Sequence, residues 1–304
     1  MNTDSTLAPI ALFAFKRPTH LRQTLESLSR NPEFNQSELH IYCDGARRID
    51  EEEAVSQTRE VARSWPHAHK TLHEAESNLG LAHSIILGVT ILCEQRGHVI
   101  VVEDDLTVSP GFLSFLNRAL DIYKNESKVM QISAFMFNIN LDENIQDSFF
   151  LPFTTSWGWA TWNRSWQKFD PDMAGYNVIK NNRKFRFDFD LFGAYPYFAM
   201  LEKQRVGKID SWAVRWYLSV FLSGGLILYP RRSLVINEGF DGSGTHCADE
   251  QRSSVTPLYL DSLDVKSKNV EIDRAAFEKI IRKIRSDRSF VQQFRDLCRR
   301  FIMQ

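Results

Sequence analysis

The feature that most constrains the fold is a run of β-branched residues, His98 to Val102, which ends in three consecutive carboxylates. Valine and isoleucine at nearly every position favour a strand buried on both faces, as in a parallel sheet covered by helices on each side. Glu103, Asp104 and Asp105 follow at its carboxyl end. Open α/β sheets bind ligands at that end of their strands. The sequence therefore predicts a parallel sheet with an acidic site at its carboxyl edge.

Strand-like and helix-like segments alternate through the first 135 residues. Short apolar runs predict further strands at 10–15, 39–43, 70–74 and 128–133. Apolar residues at helical spacing predict helices after Thr19, a possible cap, and over about 50–65, 81–94 and 110–123. This rhythm is typical of a doubly wound α/β domain, and beyond Phe135 it fades.

Composition restricts the classes of function and location. The chain has 304 residues with 43% apolar positions, enough for a full core, and its 37 basic and 38 acidic residues leave a formal net charge of −1. That balance gives no overall attraction to nucleic acid or anionic lipid, so a charged ligand needs a local site. The four cysteines form no CxxC pair, which indicates reduced thiols. With neither a signal-peptide pattern nor a long apolar run, we expect a cytoplasmic protein.

The ends of three predicted strands carry groups suited to a nucleotide and a metal. Like charges raise one another's pKa unless a cation offsets them, so the three carboxylates favour Mg²⁺ or Mn²⁺. Asp44 follows the second strand and can accept a hydrogen bond from a base or ribose, although Asp44-Gly45 is also an ordinary turn. Lys16 and Arg17 follow the first strand, where they suit a pyrophosphate or form a merely solvated pair.

Taken together, these motifs resemble the nucleotide-binding half of glycosyltransferases of the GT-A fold. The stretch Val101–Leu106 is similar to the Glu-Asp-Asp form of the DxD motif in the N-acetylglucosaminyltransferase I type and related bacterial family-2-like sugar transferases. Ala14–Pro18, Tyr42–Gly45 and Asn78–Ala82 supply further matches. The resemblance implies a Rossmann-like, doubly wound mixed sheet flanked by helices, followed by a C-terminal helical extension that lies outside the match.

The resemblance also implies roles in binding the donor. Asp44 is expected to meet the uracil of a UDP-sugar, and Arg17 to lie near the diphosphate. Asp105 is expected to bind Mn²⁺ or Mg²⁺ directly. Glu103 and Asp104 are expected to contact the donor ribose and sugar.

Further residues are assigned by the same resemblance. His83 and Ser84 fall near the position that contacts the base. Asp210 corresponds to the catalytic base, although it also reads as the N-cap of a helix that begins at about residue 211. Trp159 and Trp162 belong to a tryptophan-rich segment that resembles a loop over the donor sugar and acceptor. Such indoles form either a sugar platform or a core cluster.

The C-terminal third contains two further features. The glycine-rich segment 237–246 resembles a mobile loop of the family, in which His246 is a metal or pyrophosphate ligand or else a surface histidine. Residues 271–304 place apolar side chains at helical spacing and carry an excess of basic residues. They are expected to form helices docked on the body or in peripheral contact with the inner face of a membrane.

The domain organisation predicted is a catalytic domain over 1–250 and a linker and helical segment over 251–304. Within the first, 9–135 would bind the nucleotide and 136–250 would hold the acceptor and the base. The implied function is an inverting, metal-dependent transfer of a sugar, an N-acetylhexosamine as a first guess, from a UDP-sugar to a glycan or glycolipid hydroxyl in bacterial polysaccharide assembly. A sugar-phosphate nucleotidyltransferase and a noncatalytic carbohydrate-binding protein remain as alternatives.

Overall fold

The computed structural model describes residues 7–143, 145–239, 258–261 and 263–287. The first half alternates strand and helix as predicted. Its elements are β1 (Ile10–Ala14), α1 (Pro18–Ser29), β2 (Leu39–Cys43), α2 (Glu52–Ser64), β3 (Lys70–Glu74), α3 (Leu81–Arg96), β4 (His98–Glu103), β5 (Leu106–Val108), α4 (Phe112–Ile122) and β6 (Val129–Ser133).

The second half contains shorter elements that the sequence pattern did not reveal, apart from α9. They are β7 (Ser148–Leu151), β8 (Trp159–Trp162), α5 (Asn163–Trp166), α6 (Tyr176–Asn181), α7 (Arg183–Phe189), α8 (Tyr197–Arg205), α9 (Trp212–Leu222), β9 (Leu226–Pro230) and β10 (Val235–Asn237).

One eight-stranded sheet runs through both halves in the order β3-β2-β1-β4-β8-β6-β9-β7. The pairs β3–β2, β2–β1, β1–β4 and β6–β9 are parallel, whereas β8 is antiparallel to both of its neighbours and β7 is antiparallel to β9. The strand order reverses between β1 and β4, and such a switch point opens a crevice at the carboxyl ends of the strands.

Each face of the sheet is covered by its own core. In β4 the side chains of Ile100 and Val102 belong to the core beneath α1, α2 and α4, and those of Val99 and Val101 belong to the core beneath α3 and α9. The β-branched run therefore has both faces buried, as predicted. The predicted fold class, a doubly wound mixed α/β sheet flanked by helices, is confirmed.

One local prediction differs from the structure, and one element was not predicted. Helix α1 begins at Pro18, with Arg17 rather than Thr19 at the N-cap position, because proline is favoured in the first turn, where its missing N–H costs nothing. After Glu103 the chain turns at Asp104 and Asp105 into β5, which pairs with β10 in a separate two-stranded sheet. This second sheet brings the chain around Asn237 back to the acidic turn.

The two tryptophans that were candidates for a sugar platform lie in the sheet, which corrects that prediction in favour of the core cluster that the sequence also allowed. Trp159 and Trp162 lie on β8 between β4 and β6 and are 0% and 4% exposed. The Trp159 ring stacks on that of Trp212 with centroids 5.0 Å apart, and the Trp162 indole N–H donates to the Leu120 carbonyl at 3.1 Å. All four side chains of β8 are buried, so the strand shows no alternation that a sequence pattern could detect.

The C-terminal segment packs on the body over the part that is described. Residues 274–287 are helical, and Ala276, Phe277, Ile280 and Ile284 are buried in the core beneath α3 and α9. Residues 288–304, and with them the rest of the predicted helical segment, lie outside the described residues. Within the described ranges no helix is both long and apolar enough to cross a bilayer.

The buried position of Trp159 predicts an effect on stability rather than on sugar affinity. Trp159→Ala should lower the free energy of unfolding by about 3–5 kcal/mol, because it opens a cavity between β8 and α9. Trp159→Phe should cost clearly less, since the indole N–H makes no hydrogen bond. Urea denaturation measures both, and an alanine variant of unchanged stability would contradict the core assignment.

Candidate functional site

A cleft opens where β1, β2 and β4 end, at the reversal of strand order. The open space that it encloses, including its mouth, is about 570 Å³. Residues that follow the three strands line it together with the first turn of α3; among them are Phe15, Arg17, Asp44, Ser84, Glu103 and Asp104. The topology thus brings together groups that the sequence places at separate strand ends.

The guanidinium of Arg17 lies against two of the three carboxylates. Its Nη1 is 3.0 Å from Asp105 Oδ2, and its Nη2 pairs with Asp104 Oδ1. Burial alone would lower the pKa of Arg17, but the charges of Asp104 and Asp105 and hydrogen bonds to both raise it above its ordinary value. The cation predicted to meet a diphosphate therefore neutralises part of the acidic cluster in this structure.

Asp104 ties the ends of β1 and β4 to α1. Its carboxylate accepts a hydrogen bond from the Phe15 N–H at 3.1 Å, and its carbonyl accepts one from Thr24 Oγ1 at 2.7 Å. The residue is 2% exposed, and burial, opposed by the charge of Arg17, raises its pKa. Its predicted contact with the donor stays a prediction, and the structure shows it holding Arg17 and the β1 end.

Asp105 has an unused oxygen that suits a metal ion. Its Oδ1 is buried and has no hydrogen-bond partner in the part of the chain that the structure describes, whereas Oδ2 faces Arg17. The chain lies close over it, because the Glu238 N–H donates to the Asp105 carbonyl at 2.8 Å and a Cβ at Gly239 would collide with the carboxylate. A buried carboxylate oxygen with no donor is costly unless a cation meets it. Asp105 thus fits Mg²⁺ or Mn²⁺.

The third carboxylate, Glu103, lies close to the charges of Asp104 and Asp105. Burial, followed by repulsion from Asp105 and Asp104, raises the pKa of Glu103 to about 8, and Arg17 opposes this only in part. No group of three or more His, Cys, Asp or Glu side chains among the described residues is arranged as a metal site. His246, the other predicted ligand, lies outside the described residues. A metal held here would need donor phosphates as further ligands, as is common for Mg²⁺.

Asp44 organises the loop that faces the cleft. Its Oδ1 accepts from the Gly45 and Leu79 N–H groups at 2.8 and 2.7 Å, and its Oδ2 accepts from the Gly80 N–H and the Asn78 side-chain amide at 2.9 and 3.0 Å. A carboxylate has about four acceptor positions, so the chain itself uses its capacity. The contact of Asp44 with uracil stays a prediction, and it would require one of these hydrogen bonds to break.

The two candidate residues on α3, His83 and Ser84, differ in their position relative to the cleft. Ser84 is half-buried and lines the cleft, whereas His83 is exposed and is not among the lining residues. Adjacent helix positions point about 100° apart, so the structure brings only Ser84 to the site.

Asp210 lies beside Gly80, is not among the residues that line the cleft, and does not cap α9. Ser211 is the N-cap, and its hydroxyl accepts from the Val214 N–H at 3.4 Å. The Asp210 carboxylate is 62% exposed, 2.9 Å from Arg215 Nη2, and 3.9 Å from where a Cβ at Gly80 would lie. Asp210 thus stands beside the loop that Asp44 holds, and the N-cap interpretation is wrong.

Three cleft residues were missed as candidates from the sequence. The Arg47 guanidinium lies 5.1 Å from the centroid of the Phe15 ring, and its Nε donates to Asn78 Oδ1 at 3.2 Å. The Tyr42 hydroxyl is buried without a hydrogen-bond partner, and burial raises its pKa to about 12. Phe15, Tyr42 and Arg47 all lie at or just after strand ends, and that position was the signal available in the sequence. The directions of their side chains depend on the sheet.

Asp44→Asn should loosen the 78–80 loop. One carboxylate oxygen becomes an amide that cannot accept from the donors facing it, at a cost of about 1–3 kcal/mol. Hydrogen exchange at the Leu79 and Gly80 amides should accelerate, and urea denaturation should show the loss. Asp50→Asn, at a carboxylate that is 67% exposed, is the control. Unchanged exchange at both amides would contradict the assigned role.

No protein-family model matches the chain, and no curated protein is detectably similar to it in sequence. Among solved structures, GalNAc-T7 with UDP, GalNAc and Mn²⁺ matches with 9% identity over 75% of this chain and 43% of that chain, at a TM-score of 0.43. A Pyrobaculum calidifontis mannosyltransferase with GDP-Man and Mn²⁺ matches with 16% identity over 44% of this chain and 37% of that chain, at a TM-score of 0.31. 4-Diphosphocytidyl-2C-methyl-D-erythritol synthase from Anaerococcus prevotii matches with 12% identity over 75% of this chain and 91% of that chain, at a TM-score of 0.36.

The chain covers less than half of both glycosyltransferase chains, at 43% and 37%. At such low TM-scores these similarities carry no argument about function. The chemistry of the site must support any functional conclusion.

Proposed function

We propose that the protein is a metal-dependent glycosyltransferase of the GT-A fold that moves a sugar from a UDP-sugar to a hydroxyl of a glycan or lipid-linked acceptor with inversion. The observation that carries this proposal is the buried Oδ1 of Asp105, which has no hydrogen-bond partner among the described residues and lies next to Arg17, a residue that lines the cleft at the switch point of the sheet. A carboxylate oxygen to which no described group donates a hydrogen bond, next to a guanidinium that suits an anion, matches a metal-bound diphosphate.

In this proposal Asp105 holds Mn²⁺ or Mg²⁺, and the donor phosphates complete the ligand set. The ion would supply positive charge for the departing diphosphate. Arg17 reaches the same diphosphate through Nη1 or Nη2 once a metal shares the charge of Asp104 and Asp105. The Phe15 ring and the Arg47 guanidinium offer flat surfaces for the base, and Ser84 offers a hydroxyl to its edge.

Asp210 is proposed as the general base for the acceptor hydroxyl. Its carboxylate is exposed beside Gly80, where a large acceptor can approach, and it pairs with Arg215. Proton removal as the hydroxyl attacks the anomeric carbon gives a single displacement, which inverts the configuration. His83, His246 and the division into nucleotide and acceptor halves belong to the proposal through the sequence resemblance alone.

Asp105→Ala should abolish the metal dependence of UDP binding. The wild type should bind UDP more tightly with Mn²⁺ than with chelator, and the variant should lose about 10- to 100-fold in affinity with Mn²⁺. Isothermal titration measures both. Asp121→Ala removes an exposed carboxylate on α4 and is the matched control. Equal binding with and without metal in the wild type would remove Asp105 from this role.

Asp210→Asn should separate binding from turnover. UDP affinity should be unchanged, and transfer or donor hydrolysis should fall by about 10²- to 10⁴-fold, the usual contribution of a general base. A thermal-shift screen of nucleotide sugars with Mn²⁺ would first identify the donor through its mass-action stabilisation. NMR of the product would report inversion. Asp172→Asn, an exposed carboxylate between α5 and α6, is the control, and normal turnover in Asp210→Asn would exclude this base.

Product release and metal-dependent UDP binding distinguish the two alternatives. A nucleotidyltransferase would release pyrophosphate from UTP and a sugar phosphate, and its usual glycine-rich phosphate loop has no counterpart in Leu12–His20, which contains no glycine. A noncatalytic carbohydrate-binding protein would bind sugar without metal-dependent UDP binding. A role of the protein in polysaccharide assembly and contact of its C-terminal helices with a membrane remain part of the proposal.

A further inference from the structure

A buried carboxylate directly before α2 joins two segments that line the cleft. Glu51 is 5% exposed, and its Oε1 accepts a hydrogen bond from Lys16 Nζ at 2.6 Å. Its Oε2 accepts one from the Arg47 backbone N–H at 3.0 Å. Lys16 follows β1, Arg47 follows β2, and both line the cleft, whereas Glu51 does not. Any effect of Glu51 on a ligand must therefore pass through the groups that it holds.

The two residues that Glu51 holds approach the same aromatic ring. Lys16 Nζ lies 5.6 Å and the Arg47 guanidinium carbon 5.1 Å from the centroid of the Phe15 ring. A cation within about 6 Å of a ring centroid is attracted to the ring. Side chains from the ends of two strands thus form one wall of the cleft, which we call the Phe15 wall (Phe15, Lys16 and Arg47).

Arg47 is held at both of its ends. Glu51 binds its backbone N–H, and its Nε donates to Asn78 Oδ1 at 3.2 Å. Asn78 in turn donates through Nδ2 to Asp44 Oδ2 at 3.0 Å. Fixing an exposed arginine costs rotamer entropy, so such an arrangement is unusual for a residue without a task. A guanidinium plane that is already fixed is prepared to stack on a flat ligand.

The burial of Glu51 contributes geometry more than stability. A buried salt bridge seldom stabilises a fold more than apolar packing of the same volume does, because both charges lose their hydration. The hydrogen bond from Lys16 lowers the pKa of Glu51, which keeps the carboxylate charged at neutral pH. Arg48 Nη2 lies 3.8 Å from the same carboxylate, but Arg48 is exposed and pairs with Asp50 at 3.0 Å. The charge of Glu51 thus serves mainly to fix an ammonium and a loop.

The Phe15 wall suits the base of a nucleotide. In the proposed function the diphosphate lies at Asp105 and Arg17, so the base must lie elsewhere along the cleft. Stacked ring centroids lie about 4.5–7 Å apart, and the 5.1 Å between Arg47 and the Phe15 ring therefore admits no third ring between them. A base would stack on the outer face of the guanidinium, and the position of that face depends on Glu51.

We propose that Glu51 is a positioning residue for the nucleotide, and that it fixes the Phe15 wall in the arrangement that receives the base. The presence of a base at this wall rests on the proposed function, whereas the role of Glu51 within the wall follows from its contacts. Because the base does not react, loss of Glu51 should weaken ground-state and transition-state binding equally. KM for the donor should rise while kcat stays unchanged.

The test compares a nucleoside with a nucleoside diphosphate on the full-length protein. Uridine is titrated by NMR without metal, and UDP by isothermal titration with Mn²⁺. Glu51→Gln has only one acceptor oxygen for two donors, so both affinities should fall by the same factor, about tenfold. Glu52→Gln changes the adjacent exposed carboxylate and should bind both ligands as the wild type does.

A double-mutant cycle separates positioning from stability. Lys16→Met removes the ammonium and keeps an apolar side chain of similar length. If Glu51 acts through Lys16, the two substitutions together should weaken uridine binding by less than the product of their separate effects. Urea denaturation of each variant shows whether it is folded under the binding conditions. Arg47→Ala, which keeps the backbone contact with Glu51, should also weaken uridine binding and serves if Glu51→Gln does not fold.

Three outcomes would overturn the inference. The first is wild-type affinity of Glu51→Gln or, if that variant does not fold, of Arg47→Ala for both ligands. The second is a loss of affinity for UDP but not for uridine, which would assign the wall to the phosphates. The third is no detectable binding of uridine to the wild type. Failure of the proposed function differs from all three, because UDP binding would then be independent of Mn²⁺ while uridine affinity still falls in Glu51→Gln.

Discussion

Most of the site depends on the balance between three carboxylates and one guanidinium at the end of β4. Asp104 and Asp105 each pair with Arg17, and Asp104 also holds the end of β1 through the Phe15 N–H. Burial, followed by repulsion from Asp105 and Asp104, raises the pKa of Glu103, and no described group donates to Asp105 Oδ1. The fold is thus closed around a charge imbalance that a divalent cation would relieve.

A further carboxylate, which follows β2, holds the loop that stands beside Asp210. Asp44 anchors the 78–80 loop through both of its oxygens, and Gly80 in that loop stands beside Asp210. Gly45 makes the arrangement possible, because a Cβ there would come within 2.5 Å of the Ser77 carbonyl carbon. Asp44, which the resemblance assigns to the nucleobase, therefore also positions the loop between the nucleotide cleft and Asp210, the proposed general base.

The sequence predicted most of the first half of the fold and the location of the site, but little of the second half. Strands β2 and β3 have the predicted boundaries, and β4 has the predicted double-sided burial. The short strand β8 escaped detection because all of its side chains are buried, and the same fact turned two platform candidates, Trp159 and Trp162, into core residues. Exposure of an aromatic ring is not encoded in local spacing.

The sequence by itself determined the alternation of strands and helices and the chemical groups at the strand ends, because hydrophobic periodicity and turn residues are local properties. Only the tertiary structure decided which of those groups meet. The bonds from Arg17 to Asp105 and from Phe15 to Asp104 join residues 88 and 89 positions apart, and they exist because β1 and β4 are neighbours in the sheet. It also decided that Ser84 rather than His83 faces the cleft, since that choice depends on how α3 packs against the sheet.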